Sequence, residues 1–176
     1  MEQEERLREH PESKLHGHLI ETPSAEMLGL IFNNESLKKS IMQAGFNPDS
    51  AQALFFVPLV EVAWADGEIQ SDERDEILKM LAKRGIEEKS EALALVSGWL
   101  TERPIEAVFF KAQILHGLIV DEMRKHEEGS VMWILENSRR IASATGGRLS
   151  RIGIGSSTSP DEDVVIQGIA SRIQKK

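Results

Sequence analysis

Residues 47–67, NPDSAQALFFVPLVEVAWADG, are apolar almost all the way round a helix. A helix of that kind offers no face to water, so the rest of the chain must surround it. Asn47 followed by Pro48 reads as its start: a side-chain acceptor for the free amides, then a residue whose fixed φ suits a first turn. Pro58 lies inside the run and is expected to kink it or split it into two pieces.

The flanking segments carry helical periods with clear starts and stops. PSAEMLGLIFNN opens at Pro23 and Ser24, and NESLKKSIMQAGF places Leu37, Ile41 and Met42 on one face and ends at Gly45. SDERDEILKMLAKRG has Ser71 as the expected N-cap, acids in the first turn, Lys83 and Arg84 in the last, and Gly85 as the stop. EEKSEALALVSGWL follows, then a long apolar segment from Pro104, then EEGSVMWILENSRRIASATGG, expected to end at Gly146–Gly147. A last helix is expected from about Pro160 to Ile173. No segment alternates convincingly as a strand does; SRIGIG is the nearest candidate and is short and glycine-rich. The expected fold class is all-α, a compact bundle of seven to eight helices, with a polar N-terminal arm over 1–23 and one domain over 24–176.

Composition narrows the function. The chain has 176 residues and a net charge of −8, so it lacks the basic excess that neutralises phosphates, and a nucleic-acid role is not expected. An acidic surface suits cations or basic patches on another protein. Without cysteine there is no disulfide, thiolate zinc site or cysteine nucleophile. The charged start MEQEERLREHPESK is unlike a signal peptide, and no apolar run reaches membrane-spanning length. The expectation is a cytoplasmic protein that is not membrane-embedded.

Two parts of the chain resemble each other. VEVAWADG (60–67) aligns with RRIASATG (139–146), and SDERDEILKMLAKR (71–84) aligns without a gap with SPDEDVVIQGIASR (159–172). This suggests a duplicated helix–loop–helix unit, with halves of about 24–100 and 101–176. In this register Thr145 stands opposite Asp66 and Asp161 opposite Glu73. A cation site on the loop is therefore expected in the first copy only. Arg140 stands opposite Glu61, which suggests that these two pair across the repeat.

The first loop is strongly acidic: seven acids against one base, Arg74, between Glu61 and Glu76. DGEIQSDE matches half of a calcium-binding EF-hand loop, with Asp66, Gly67, Glu68, Ile69 and Glu73 at positions 5, 6, 7, 8 and 12. Val62 and Trp64 fall where ligands are needed, which excludes a stand-alone EF-hand. A different oxygen site remains, drawn from Asp66, Glu68, Asp72, Glu73 and Glu76; such hard donors favour calcium, magnesium or manganese. Against this stands plain capping, because acids in a first turn complement the helix dipole and Asp–Gly is a common turn.

Other motifs carry less. His16 and His18 read as incidental, and His116 reads as a buried, hydrogen-bonded structural histidine. GIGSS (153–157) lacks a phosphate-loop lysine, and no spacing singles out a catalytic triad. The residues offer no positive case for an enzyme.

VAWADGEIQSDERDEIL resembles the signature of the TerB-like (tellurite resistance TerB) family, A-x-A-D-G-x-I-x-x-x-E between two helices. Ala63, Ala65, Asp66, Gly67, Ile69 and Glu73 carry it. The family's relatives include the N-terminal domain of a DnaJ-like membrane co-chaperone. The resemblance implies a non-enzymatic helical domain that binds a divalent cation at Asp66, Glu68 and Glu73. It also implies a role in stress or tellurite-resistance regulation, through a protein partner that is membrane-associated or chaperone-related. The alternative is a metal-free interaction module whose acidic loop docks basic segments of a partner.

Overall fold

The structure, a computed structural model, describes residues 24–126, 129–150 and 159–174. These form eight α-helices and no strand: α1 (Ser24–Asn33), α2 (Glu35–Gln43), α3 (Val57–Ala63), α4 (Ser71–Lys83), α5 (Glu91–Thr101), α6 (Glu106–Met123), α7 (Gly129–Ser150) and α8 (Pro160–Gln174). A 3₁₀ segment, Ser50–Phe56, leads into α3. The all-α expectation holds. The N-terminal arm with His16 and His18, and nearly all of SRIGIG and GIGSS, lie outside the described residues.

The apolar run 47–67 is the centre of the molecule, as its composition required. Asn47 Oδ1 accepts from the Asp49 and Ser50 amides, both at 2.9 Å, and opens the 3₁₀ segment. Pro58 divides the run: the 3₁₀ segment ends at Phe56, and α3 begins with Pro58 in its first turn, where its missing N–H costs nothing. Phe56, Leu59, Val60 and Val62 are fully buried, against Ile77 and Leu81 of α4 and Ile134, Leu135 and Ile141 of α7. Trp133 of α7 packs edge-on to Phe56 at 5.8 Å, and the Arg84 guanidinium lies 3.9 Å over its ring. Burial draws Arg84 down to about 10, so it keeps its charge at neutral pH.

The helices around this centre end largely where their sequences say. Asn34 caps α2 through the Ser36 and Leu37 amides, and Ser90 caps α5 through Leu93. Gly45 and Gly85 stop α2 and α4 with φ of 95° and 75°, values that side chains beyond glycine rarely take. Some boundaries differ. α6 starts at Glu106 rather than Pro104, and α7 passes through Gly146–Gly147 to Ser150. Glycine weakens a helix by about 1 kcal/mol without ending it, because it keeps its N–H and can hold helical angles.

α3, α4, α7 and α8 form a four-helix unit in which α3 packs on α7, α4 on α7, and α3 on α8. The two repeat copies are thus intimately crossed. The remaining helices flank this unit: α1 and α2 lie against α6, and α5 lies against the 3₁₀ segment.

Candidate functional site

The junction between α3 and α4 is a tight turn. The chain leaves α3 at Ala63, Gly67 takes φ 98°, and Asp66 Oδ1 accepts from the Glu68 amide at 3.2 Å. α4 is capped one residue earlier than expected. Gln70, not Ser71, is the N-cap, because the Glu73 carboxylate reaches back to the Gln70 amide at 2.8 Å. This is the return half of a capping box, and it draws Glu73 inward to 2% exposure.

α8 begins the same way. Ser159 Oγ accepts from the Glu162 amide at 3.1 Å, and the Glu162 carboxylate accepts from the Ser159 amide at 2.5 Å. Glu162 is therefore the counterpart of Glu73, and the gapless register that set Asp161 there is wrong by one residue. The shifted register fits burial along both helices. Ile77 and Met80 on α4 and Arg84 at its C-cap match Ile166, Ile169 and Ile173 on α8, and all six are buried. Asp161 is exposed.

The two capping glutamates meet. The Glu73 carboxyl lies close enough to Glu162 to hydrogen-bond with it, and Asp66 adds a third negative charge nearby. Among the described residues, no basic side chain pairs with Glu73 or Glu162. Burial, reinforced by these two neighbours and only partly offset by the Gln70 amide, pushes the Glu73 carboxyl up to about 7. Burial beside a second carboxyl favours a proton on Glu73, and a metal cation bound between the two groups would relieve the same repulsion.

Outside this pair the repeat is bound by crossed ion pairs. Glu61 of α3 accepts from Arg172 of α8 at 2.6 Å, and Arg140 of α7 pairs with Glu76 of α4 at 2.5 Å. The expected Glu61–Arg140 pairing does not form. Each charge instead finds its partner on the second helix of the opposite copy, because α3 and α7 present these residues toward α8 and α4 respectively.

Of the five candidate ligands, Glu73 lies at the centre of the junction, and Asp66 is near enough to act on its charge. Glu68 accepts weakly from the Gln70 side chain at 3.4 Å, and Asp72 is exposed and accepts from Ser71 Oγ at 3.4 Å. Glu76 is engaged by Arg140 and, at 3.9 Å, by Lys79. Among the described residues, no three His, Cys, Asp or Glu side chains gather as a group able to hold a metal. The residue the sequence reading missed is Glu162. Its signal was available as S-P-D-E, a capping-box pattern over Ser159–Glu162. The junction thus draws on both copies rather than the first alone.

His116 is buried as expected. Burial and the nearby Arg172 charge pull it down to about 3, so it is neutral; contrary to the expected hydrogen bonding, its Nε2 has no partner among the described residues. Among the described residues, no helix is long and apolar enough to cross a membrane. Comparison of the chain with protein-family models, with curated proteins and with solved structures finds no match.

Proposed function

We propose that this chain is a non-enzymatic TerB-like domain that takes up a divalent cation at its acidic junction and uses it to set how the two copies, and a protein partner, are held together. The observation that carries the reading is the proximity of the buried carboxyls of Glu73 and Glu162, with Asp66 alongside and no basic partner among the described residues. The donors are hard oxygens, which suits calcium, magnesium or manganese. Each glutamate spends one oxygen on a backbone amide and keeps the other for a ligand. A bound cation would supply the positive charge that no described residue brings to the pair. Glu73 and Glu162 would hold it, with water completing its shell; Asp66 would act through its charge alone, and Glu76 is withdrawn by Arg140.

The TerB resemblance supports this reading through the motif Ala63–Glu73, which spans the α3–α4 junction. A cytoplasmic role in stress or tellurite-resistance regulation, alongside a membrane-associated or chaperone-related partner, is part of the same proposal. The test is a titration of chelator-treated protein with calcium, magnesium and manganese at about pH 8, following Trp64 fluorescence and melting temperature. A saturable response that is lost in Glu73→Gln/Glu162→Gln supports cation binding, since a ligand of the native state alone raises its stability. No response to any of the three, or a response that survives in the double variant, refutes it.

A metal-free interaction module is the second reading. It is favoured by an apolar groove beside the junction, formed where α3, α6 and α8 meet.

A further inference from the structure

We infer that this groove docks a basic amphipathic helix of a partner protein. It is an open groove of about 620 Å³ between the end of α3, the start of α6 and the outer face of α8. Trp64, Pro104, Phe109 and Val165 give it apolar walls, and the Glu61–Arg172 pair lies beside them.

The walls are fixed before any partner arrives. The Trp64 indole N–H donates to the Trp99 carbonyl at 2.8 Å, and Phe109 packs edge-on against the Trp99 ring at 6.4 Å. One buried tryptophan of α5 thus sets both aromatic walls, and a preformed groove spares the ordering cost of binding. A large apolar side chain of the lining stands exposed, Phe110 at 61%.

Charge selects the occupant. Glu106 lines the groove, Asp66 follows Ala65, and Asp161 lies one helical turn before Val165; all three are exposed. Among the described lining residues Arg103 is the only cation, and it admits a single acid on the partner. An acidic rim repels nucleic-acid phosphates and anionic lipid. It also opposes a second copy of this chain, because a two-fold contact sets the same acids against each other. No strand edge exists among the described residues, so a docked segment must satisfy its own backbone hydrogen bonds, as a helix does.

This inference deepens the interaction reading and does not depend on cation binding. The probe is a peptide of about eighteen residues built from leucine and lysine, with leucines at i, i+3, i+4 and i+7. Binding to the full chain is followed by tryptophan fluorescence and calorimetry. One peptide per chain is expected, with binding lost when the same residues are scrambled off one face. Phe110→Ser should weaken binding roughly tenfold or more, and Glu106→Gln/Asp161→Asn should weaken it and flatten its salt dependence. Met42→Ser, at an exposed apolar residue of α2, should leave binding unchanged.

Absence of saturable binding, or binding indifferent to Phe110→Ser, overturns the inference. So does a wild-type dimer that Phe110→Ser dissociates, which would make the occupant a second copy. Equal binding to phosphatidylserine vesicles also overturns it. Glu73→Gln/Glu162→Gln should bind the peptide like wild type, which separates failure here from failure of the cation reading.

Discussion

The Glu73 carboxyl lies against that of Glu162, and each is the third residue of its helix and accepts from the amide of the residue just before that helix. The contact joins equivalent positions of the two copies, so the repeat meets itself at its most acidic point. The same backbone demand for a capping acceptor that buries each glutamate also presses like charges together.

Stability should therefore depend on pH through Glu73. Its carboxyl moves from 4.5 to about 7 on folding, so between these values the native state holds a proton that the unfolded chain has released. The stabilisation is present in full below 4.5 and is lost as pH rises to about 7. Glu73→Gln, which keeps an acceptor for Gln70 and supplies a donor to Glu162, should be more stable than wild type at about pH 8 by on the order of 2–3 kcal/mol. Near pH 4.5 the difference should nearly vanish, as urea unfolding at both pH values would show.

His116 acts in the opposite sense. Its pKa falls from 6.5 to about 3 on folding, so stability is lost as pH drops through that window. His116→Leu should gain on wild type as the solution is acidified. A Tm difference that stays constant from about pH 8 to pH 5 would show that the histidine does not titrate this way.

The crossed ion pairs predict a charge-swap result. Glu61→Arg should destabilise by roughly 1 kcal/mol, the modest scale fitting an Arg172 that is half exposed. Adding Arg172→Glu should recover much of the loss. Combining Glu61→Arg with Arg140→Glu should not, because those residues do not touch. Chemical denaturation of the three variants distinguishes the pairings.

Asn34 joins two elements. Its side-chain oxygen caps α2, and its amide donates to Glu122 of α6 at 2.8 Å. Lys125, followed by Asn34, holds the Glu122 carboxyl below its usual range, so this stabilisation is present above 4.5 and is lost as pH falls through the lowered value. Asn34→Ala should cost about 1–2 kcal/mol at neutral pH and less in acid, measurable as a shift in the urea midpoint.

Local chemistry made the helices legible. Asn34 and Ser90 cap where such residues should, Asn47 braces the turn before the 3₁₀ segment, Gly45 and Gly85 stop helices with positive φ, and Pro58 divides the central run. These signals act within a few residues of one another. The relationships that cross the molecule were not legible. Arg172 rather than Arg140 meets Glu61 because of how α3 packs on α8, which no periodicity encodes. Glu162 was missed for a smaller reason. Aligning Ser71 with Ser159 matched residue types, whereas the structural match is between caps, Gln70 with Ser159.

The crossed pairs have a consequence for the molecule's ancestry. At the matched position 61/140 the copies carry opposite charges, and each answers a charge on the far side. In the register that equates Glu73 with Glu162, the position matching Glu76 on α8 is Val165, which offers Arg140 no carboxylate. If two identical units once associated here, their descendants have diverged into complements, and a second copy of the C-terminal half would no longer substitute for the N-terminal one.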